Sequence, residues 1–539
     1  MSSGEPRRIE IYDTTLRDGT QGEGFNLSLQ DKLQIAIKLD ELGVDYIEGG
    51  FPISNPKDEA FFRDIRSMKL QHAKVVAFGM TRRRGVKPED DATLRALLAA
   101  ETLVVCVVGK TSDYQVLNVL NVTLEENLSM IFDSVRLMKN AGREVVYDAE
   151  HFFDTYRKNP DYALATLKQA EEAGADVLCL CDTNGGTMPE QIAEAVTRVK
   201  QVTSARVGIH THNDCGLALA NAQAAIHAGA IHAQGTMNGV GERCGNMDLI
   251  PLIANLQLKY HLRCLQPGTV QKLTETSRFV YETANVNPTS GQPYVGASAF
   301  AHKGGMHVHA VQKDSSTYEH VSPESVGNSR KVLVSELSGA SNIAAKAGKK
   351  FNIENDKEML RKVLARVQDL ESVGFQFEAA EASFELLVRK QIGQHRTFFE
   401  LDHYHVSVIK NSDQTPVAES TLKLRVGDVS EHRVAEGSGP VDSLDRALRK
   451  ALQDHHPSIN DLRLVDYKVR VVNTKEETAA AVRVTIEWKR RDDNAAANRE
   501  KTPQYFGTIG VSSNIIDATW QALVDGYEYH LIHVVSTSV

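Results

Sequence analysis

The segment RIEIYDTTLRDGTQ, residues 8–21, places a short run of apolar and β-branched residues before a polar turn. Such a run predicts a β-strand, and Arg17 and Asp18 stand where that strand ends. A stretch with helical periodicity follows, and the same order of strand, turn and helix recurs along the first half of the chain. The eight apolar runs cover residues 8–14, 44–51, 73–79, 102–109, 144–150, 176–183, 206–214 and 232–242.

Amphipathic segments separate these runs. Two of them, SLQDKLQIAIKLDELG (28–43) and PDYALATLKQAEEAG (160–174), open on a capping residue or proline and close on or next to glycine. Strands that alternate with helices pair in parallel, and eight such units in roughly 250 residues predict an α/β fold, a (β/α)8 TIM barrel. An open doubly wound sheet is the competing architecture, because periodicity alone does not reveal closure.

Beyond the predicted barrel, residues 1–265, the sequence changes character. Residues 266–330 are rich in glycine, histidine and serine and form a predicted linker subdomain, and residues 331–396 form a predicted helical connector. Residues 397–539 contain three strand-like runs and a helix twice over, which predicts a duplicated βββα regulatory domain. Plain stabilisation of an oligomer remains the alternative role. The repeat is visible in Ser438, Asp442, Ala447 and Leu448, which recur 75 positions later as Ser513, Asp517, Ala522 and Leu523.

The composition is that of an ordinary globular protein, with 42% hydrophobic and 24% charged residues and a net charge of -9. This balance argues against a nucleic-acid partner, and the basic run TRRRG (81–85) is typical of a solvated surface. No window reaches the roughly 18 apolar residues of a membrane span. Six cysteines without a CxxC pair indicate reduced, mainly structural thiols. We therefore predict a cytoplasmic protein with no membrane contact.

Polar side chains recur at the carboxyl ends of the predicted strands, which meet at one mouth in a barrel of this kind. Among them, Thr183 is suited to donate a hydroxyl hydrogen to a substrate carboxylate. Glu48 and Glu150 have three open roles: orienting Arg17, holding metal-bound water or binding substrate. The full set is Arg17, Asp18, Glu48, Glu150, Asp182, Thr183, His210, His212, Glu242 and Asn246.

The motif HTHND (210–214) suggests a metal site. His210 and His212 are two residues apart on a strand and so point to the same face. An HxH pair alone is more often ordinary structural histidine, but Asp18 on the neighbouring first strand adds a carboxylate. Two imidazoles and a carboxylate, with an amide oxygen from Asn246, suit a divalent cation such as Mn²⁺, Zn²⁺, Mg²⁺ or Co²⁺.

Arg17 beside such a cation is suited to an oxygen that gains negative charge when a carbonyl is attacked or an enolate forms. A structural ion pair with Asp13 or a nearby glutamate is the alternative reading. The segment NGVGERCGN (238–246) has the wrong glycine spacing for a dinucleotide fingerprint, so we expect its Glu242 to point into the mouth.

Five motifs carry a resemblance to a known family: DTTLRDGTQ, HTHNDCGLA, NGVGERCGN, HKGGMHVHAV followed by TYE, and SELSGASN. In this order they resemble the acyl-CoA-condensing branch of the DRE-TIM metallolyases, which comprises 2-isopropylmalate, homocitrate and citramalate synthases. The resemblance covers almost the whole chain. Within the branch, LRDGTQGEG, DELGVDYIEGGFPISNPKD and DAEHFFD look most like the citramalate synthases.

The resemblance implies a metal-dependent condensation of acetyl-CoA with a 2-oxo acid, which is pyruvate for citramalate synthases. The metal would be held by Asp18, His210 and His212, with Asn246 assisting. Arg17 would polarise the ketone and stabilise the developing alkoxide, while Thr183 and Glu150 would hold pyruvate and Glu48 would contribute to substrate binding. Water would then hydrolyse the thioester and release CoA.

The resemblance also assigns the proton chemistry. Glu242 with His307 is the candidate acid/base dyad, and Tyr318 is a candidate proton donor. His302 and His309 lie close to His307 and are the alternatives for it. In this family the segment with such a histidine and tyrosine reaches over a neighbouring barrel, which predicts that residues 266–330 contribute to an active site of a homodimer.

The duplicated tail resembles the family's allosteric domain, which binds the end-product amino acid. For citramalate synthases that effector would be isoleucine, because citramalate opens a threonine-independent route to isoleucine. Asp148, two residues before Glu150, departs from the small or aromatic residue common in relatives. An acidic side chain facing the pocket would disfavour a branched apolar 2-oxo acid, but the sequence does not fix its orientation.

Three other functions stay open at this point. The nearest is 2-isopropylmalate synthase, which would use 3-methyl-2-oxobutanoate. A metal-dependent hydroxy-acid aldolase or lyase would share the metal and the arginine but need neither acetyl-CoA nor the tail. A non-enzymatic sensor is disfavoured by the complete set of metal-ligand candidates.

Overall fold

The computed structural model of the chain describes residues 7–332, 343–412, 415–472, 480–490 and 505–537. The SELSGASN motif (335–342) lies outside these ranges. The chain divides into two compact units: residues 1–300 with 320–330, and residues 301–319 with 331–539. The division of the sequence into four domains stays a prediction.

A closed barrel of eight parallel strands forms the centre of the first unit. The barrel is closed by β1 and β8, which pair in parallel from Glu10 opposite His232 to Asp13 opposite Gly235. The predicted TIM barrel is confirmed, and the open doubly wound sheet is wrong. The strands are β1 Glu10–Asp13, β2 Tyr46–Gly50, β3 Lys74–Met80, β4 Val104–Lys110, β5 Glu144–Glu150, β6 Val177–Asp182, β7 Arg206–Thr211 and β8 His232–Gly235.

Helices surround the barrel and bury their apolar faces against it. The predicted helix caps are observed in α1. Ser28 and Asp31 form a capping box at its start, and Gly43 ends the helix at φ +93°. The helices are α1 Leu29–Leu42, α2 Pro56–Ile65, α3 Ala92–Ala99, α4 Asp113–Asn118, α5 Leu124–Asn140, α6 Phe152–Lys158, α7 Pro160–Ala173, α8 Pro189–Val202, α9 Ala218–His227, α10 Leu249–Leu258 and α11 Leu273–Thr283.

The second unit begins with a small parallel pair, β9 Ala301–His302 and β10 Lys331–Val332, and the helix α12 Gly305–Lys313. A π-helical turn, Ala344–Gly348, leads into the connector helices. These helices are α13 Lys349–Phe351, α14 Lys357–Ser372 and α15 Glu381–Gln391. The predicted helical character of the connector is therefore observed in its described part.

Two βββα repeats form the tail, as predicted. Each has an antiparallel three-stranded sheet in which the strands neighbour one another in chain order. The first and second strands of each repeat also share an irregularity, between Leu401 and His403 and between Leu464 and Asp466. The elements are β11 Glu400–Ile409, β12 Val417–Val426, β13 Val429–Gly437 and α16 Pro440–Leu452, then β14 Leu462–Val471, β15 Val482–Arg490, β16 Tyr505–Ser512 and α17 Ile515–Thr537.

Helix α15 contributes to two apolar cores. Ala382 and Leu386, one helical turn apart, belong to the core of the two βββα repeats. Phe384, Leu387 and Val388 belong to the connector core. The connector and the tail therefore share one helix. Among the described residues, no helix is both long and apolar enough to cross a membrane.

Candidate active site

The carboxyl ends of the barrel strands surround a cavity of about 400 Å³. Seven of the ten polar candidates from the sequence line it, as expected for parallel strands closed into a barrel, whereas Glu48, Asp182 and Asn246 do not. Four apolar side chains, from Phe51, Phe78, Met80 and Val108, form part of the wall. The charged and polar lining residues are Arg17, Asp18, Gln21, Lys110, Asp148, Glu150, Thr183, His210, His212, Glu242 and Arg243, and Cys181 completes the lining.

Asp18, His210 and His212 form a buried cluster whose ligand atoms all lie within 4.8 Å of one another. The Nε2 atoms of the two histidines are 3.3 Å apart, and Asp18 Oδ2 is 3.4 Å from His210 Nε2. Asp18 lies beyond the end of β1, because the strand stops at Asp13 and a turn carries the carboxylate back over the mouth. The predicted convergence of these three residues is observed.

Three features of the cluster fit a divalent cation. His210 Nδ1 lies 2.8 Å from Gln234 Oε1, so the proton on Nδ1 has an acceptor and Nε2 is left to face the cluster. Within the described residues, His212 Nδ1 and Asn246 Oδ1 are buried without a hydrogen-bond partner. His212 and Asn246 are also bridged through their backbones. One carboxylate, two imidazoles and an unused amide oxygen form a donor set suited to Mn²⁺, Zn²⁺, Mg²⁺ or Co²⁺.

Arg17 is fixed beside this cluster from three sides. Its Nε donates to Glu48 Oε2 at 2.8 Å, and its Nη1 lies 3.3 Å from Asp18 Oδ2. The guanidinium carbon stands 3.9 Å from the ring centroid of Phe78. Burial would lower the pKa of Arg17, but the charges of Glu48 and Asp18 raise it above its ordinary value. Arg17 therefore presents a permanent positive charge in one orientation.

Glu48 is fully buried and stands behind Arg17 instead of lining the cavity. Its carboxylate accepts hydrogen bonds from Tyr12 Oη at 2.9 Å, from the Thr14 hydroxyl and from Arg17 Nε. Of the three roles that the sequence leaves open for Glu48, orientation of the arginine is the one that this geometry supports.

The pKa values of Asp18, His210 and His212 are shifted in different directions. Burial would raise the pKa of Asp18, but the charge of Arg17 and the hydrogen bond with His210 hold it well below its usual range. Burial would likewise lower the pKa of His210, yet the bond to Asp18 raises it. Burial and the neighbouring His210 lower the pKa of His212 to about 4. At neutral pH the cluster thus offers an ionised carboxylate and a neutral His212 imidazole.

Glu150 and Thr183 occupy the side of the cavity away from β1. Glu150 forms an ion pair with Lys110, the last residue of β4. Thr183 Oγ1 accepts from the backbone N–H of His151 at 2.8 Å, which leaves its own hydroxyl hydrogen free to donate. Both side chains are placed where a small substrate in the cavity would contact them.

Glu242 lies at the rim, and its side chain is 59% exposed. The adjacent Arg243 donates to both carboxylate oxygens of Asp214, at 2.8 and 2.9 Å, and to the carbonyl oxygen of Thr183 at 2.8 Å. Glu242 is 3.4 Å from Arg243 Nη1. The predicted position of Glu242 at the mouth is observed.

His307 and Tyr318 belong to the second unit. Their rings stack with centroids 4.1 Å apart, and both residues are exposed. His302, one of the alternatives for His307, is instead paired with Glu319 at 3.0 Å. The structure thus groups His307 with Tyr318, while their part in catalysis stays a prediction.

Three residues at or next to the cavity escaped prediction. Lys110 directly follows the fourth apolar run, so the rule that chemistry gathers at strand ends would have found it. Arg243 is part of the NGVGERCGN motif, but only the fold shows that it braces the rim. Gln234 lies inside β8 and carries no sequence signal for its contact with His210.

Three family models match the chain: HMGL-like over residues 8–280, homocitrate synthase post-HMGL domain-like over 294–374, and LeuA allosteric (dimerisation) domain over 378–531. An (R)-citramalate synthase of Geobacter sulfurreducens is 50% identical over 97% of this chain and 97% of its own length. One from Aquifex aeolicus is 47% identical over 97% of this chain and 98% of its own length. A 2-isopropylmalate synthase of Methanocaldococcus jannaschii is 31% identical, over 97% of this chain and 94% of its own. The resemblance drawn from the motifs is confirmed, and the chain belongs to the HMGL-like family, within the group of the (R)-citramalate synthases.

Proposed function

We propose that the chain condenses acetyl-CoA with pyruvate and releases (R)-citramalate and CoA, as an acyltransferase whose acyl group becomes an alkyl group. The observation that carries the proposal is the 43–50% identity to five (R)-citramalate synthases over 97% of the chain. Two relatives, one named 2-isopropylmalate synthase and one probable 2-isopropylmalate synthase, are 31–33% identical. Pyruvate is therefore favoured over 3-methyl-2-oxobutanoate as the 2-oxo acid.

A divalent cation completes the proposed site, held by Asp18, His210 and His212 with Asn246 as an amide ligand. When bound, it would withdraw electron density from the ketone of pyruvate and neutralise charge on its oxygens. The buried, partnerless Asn246 Oδ1 supports this reading of the donor set. Mn²⁺, Zn²⁺, Mg²⁺ and Co²⁺ all suit these ligands.

Other residues of the cavity would bind pyruvate and activate its ketone. Arg17, held by Glu48 and Phe78, donates to the ketone oxygen as that oxygen becomes an alkoxide. Thr183 donates its free hydroxyl hydrogen to the pyruvate carboxylate. Glu150, which is ion-paired with Lys110, also holds the pyruvate. These contacts place the ketone carbon for attack.

The reaction also needs a proton taken from the acetyl-CoA methyl group. We assign this step to a dyad of Glu242 and His307, with Tyr318 as the donor that protonates the new alkoxide to give the hydroxyl. The methyl carbon then bonds to the ketone carbon of pyruvate, and water hydrolyses the resulting thioester to free CoA. A homodimer, supported by the LeuA allosteric (dimerisation) match, would bring His307 and Tyr318 to a partner's barrel.

The substrate assignment is tested by thiol release from acetyl-CoA in the presence of Mn²⁺. We expect kcat/KM for pyruvate to exceed that for 3-methyl-2-oxobutanoate by about 100-fold, because a pocket shaped for a methyl group excludes the larger isopropyl group. EDTA should abolish the reaction and added Mn²⁺ restore it. Chiral chromatography should identify (R)-citramalate. Faster thiol release with 3-methyl-2-oxobutanoate would instead identify a 2-isopropylmalate synthase.

The tail supports a proposal for regulation. Because residues 378–531 match the LeuA allosteric domain, we propose that an amino acid, isoleucine, binds the tail and inhibits condensation. In the full-length chain, millimolar isoleucine should lower the rate or raise the KM for pyruvate by at least about fivefold. Leucine at the same concentration is the matched control. Stronger inhibition by leucine than by isoleucine would contradict the effector assignment.

A further inference from the structure

Asp148 does not project freely into the cavity. It lies two residues before Glu150 on β5 and is 3% exposed. Its Oδ1 accepts a hydrogen bond from Gln234 Nε2 at 2.9 Å. The other end of the same amide, Gln234 Oε1, lies 2.8 Å from His210 Nδ1. A chain of two hydrogen bonds thus connects Asp148 to a candidate metal ligand.

The donor direction of these two hydrogen bonds is set at the Asp148 end. Gln234 Nε2 donates to Asp148 Oδ1, so the NH₂ group of the amide faces the carboxyl group. The amide oxygen of Gln234 then has to face His210, and the proton of the neutral imidazole must sit on Nδ1. His210 Nε2 is thereby left with its lone pair, directed at Asp18 and His212.

A glutamine amide has nearly the same shape when its oxygen and nitrogen are exchanged. Without a partner that distinguishes the two ends, Gln234 could present its NH₂ group to His210 Nδ1. That orientation would move the imidazole proton to Nε2, and a protonated Nε2 cannot bind a cation. The identity of residue 148 therefore matters to the cation site although its own side chain does not belong to the cluster of Asp18, His210 and His212.

We infer that Asp148 is a positioning residue that acts through Gln234 to fix the tautomer of His210 in which Nε2 can bind a cation. The inference rests on the proposed function only in requiring a cation at the cluster of Asp18, His210 and His212. Cys106 is another buried group that interacts with Asp148. Burial and the charge of Asp148 raise the pKa of its thiol, which therefore stays protonated.

The test measures metal affinity instead of activity. Metal-free full-length protein is titrated with Mn²⁺ by isothermal titration calorimetry. Asp148→Leu removes the acceptor at similar volume and should weaken Mn²⁺ binding by about 10- to 100-fold. Asp148→Asn can still offer its amide oxygen to Gln234 and should stay within about threefold of wild type. Gln234→Met removes the acceptor for His210 and should weaken Mn²⁺ binding as much as Asp148→Leu does.

A rescue variant separates tautomer control from general damage. In the double variant Asp148→Leu with Gln234→Glu, residue 234 is acceptor-only and needs no orienting partner. Mn²⁺ affinity should return to within about threefold of wild type. Thermal midpoints measured for every variant identify any that fail to fold, and the Gln234→Met and double variants carry the test if Asp148→Leu is one of them.

Three results would overturn the inference. The first is unchanged Mn²⁺ affinity in Asp148→Leu together with a raised KM for pyruvate, because that is the signature of a pocket wall. The second is failure of the double variant to recover affinity. The third is a wild-type protein that binds neither Mn²⁺ nor Zn²⁺. Failure of the proposed function is distinguishable, since it would appear as absent pyruvate-dependent thiol release in a wild-type protein that still binds Mn²⁺.

Discussion

Replacing Arg17 with glutamine is expected to lower kcat for thiol release by about 10³-fold, with a much smaller change in the KM for acetyl-CoA. The reason is that the guanidinium interacts most strongly with the ketone oxygen after that oxygen has gained charge, so its loss raises the barrier more than it weakens binding. Steady-state kinetics at saturating Mn²⁺ measure the effect. Glutamine retains hydrogen-bond donors, which makes the missing charge the main difference.

Two further variants define the role of Arg17. Arg17→Lys keeps the charge but cannot reach Glu48 and Asp18 with separate nitrogens as the guanidinium does, so we expect an intermediate loss of about 10- to 100-fold. Arg66→Gln is the matched control, because Arg66 pairs with Glu101 at the surface of the first unit and should leave kcat unchanged. A raised KM with an unaltered kcat in Arg17→Gln would contradict stabilisation of the developing alkoxide.

Replacing Trp488 with alanine is expected to lower the free energy of unfolding of the second unit by about 3–5 kcal/mol. The side chain is fully buried, and its Nε1 donates to Thr508 Oγ1 at 2.9 Å. Its ring lies 5.6 Å from that of Tyr527, measured between centroids. A Cβ atom built on Gly526 would approach the indole to 2.4 Å, so the surroundings fit the ring closely and alanine would leave a cavity.

Urea unfolding provides the measurement. The chain has two tryptophans, so the fluorescence of Trp520 alone reports on the second unit in the Trp488→Ala variant. Trp488→Phe keeps most of the ring and should cost only about 1–2 kcal/mol. Val408→Ala, at a position 55% exposed on β11, should stay within about 0.5 kcal/mol of wild type. A loss below about 1 kcal/mol in Trp488→Ala would show that the core closes around the gap.

Much of the fold could be predicted because its determinants are local. Each barrel strand is a short apolar run, and its flanking helices carry their own caps, as Ser28 and Gly43 do for α1. The tail repeats were detectable because duplicated elements preserve their spacing. Closure of the barrel could not be derived from these signals, since it depends on the pairing of Glu10 with His232 across more than 200 residues.

The candidate site was predictable where chemistry coincides with strand ends. His210 and His212 follow from the alternation of a strand, and Asp18 follows from its place at the end of the first predicted strand, from which a turn after β1 carries it back to them. The hydrogen-bonded connection from Asp148 through Gln234 to His210 was not predictable from the sequence. The alternation of side chains along a strand indicates which face a residue points to. It does not identify the residue that this side chain contacts on a strand far away in the sequence.

The shared helix α15 has a consequence for protein engineering. Its Ala382 and Leu386 complete the core of the βββα pair, and its Phe384 and Val388 complete the core of the connector. A fragment that started at the first tail strand would lack α15 and leave open to solvent the surface of the βββα core that Ala382 and Leu386 cover. Transplanting this regulatory module onto another enzyme would therefore require the graft to begin at or before Glu381, with α15 carried along as part of the transferred piece.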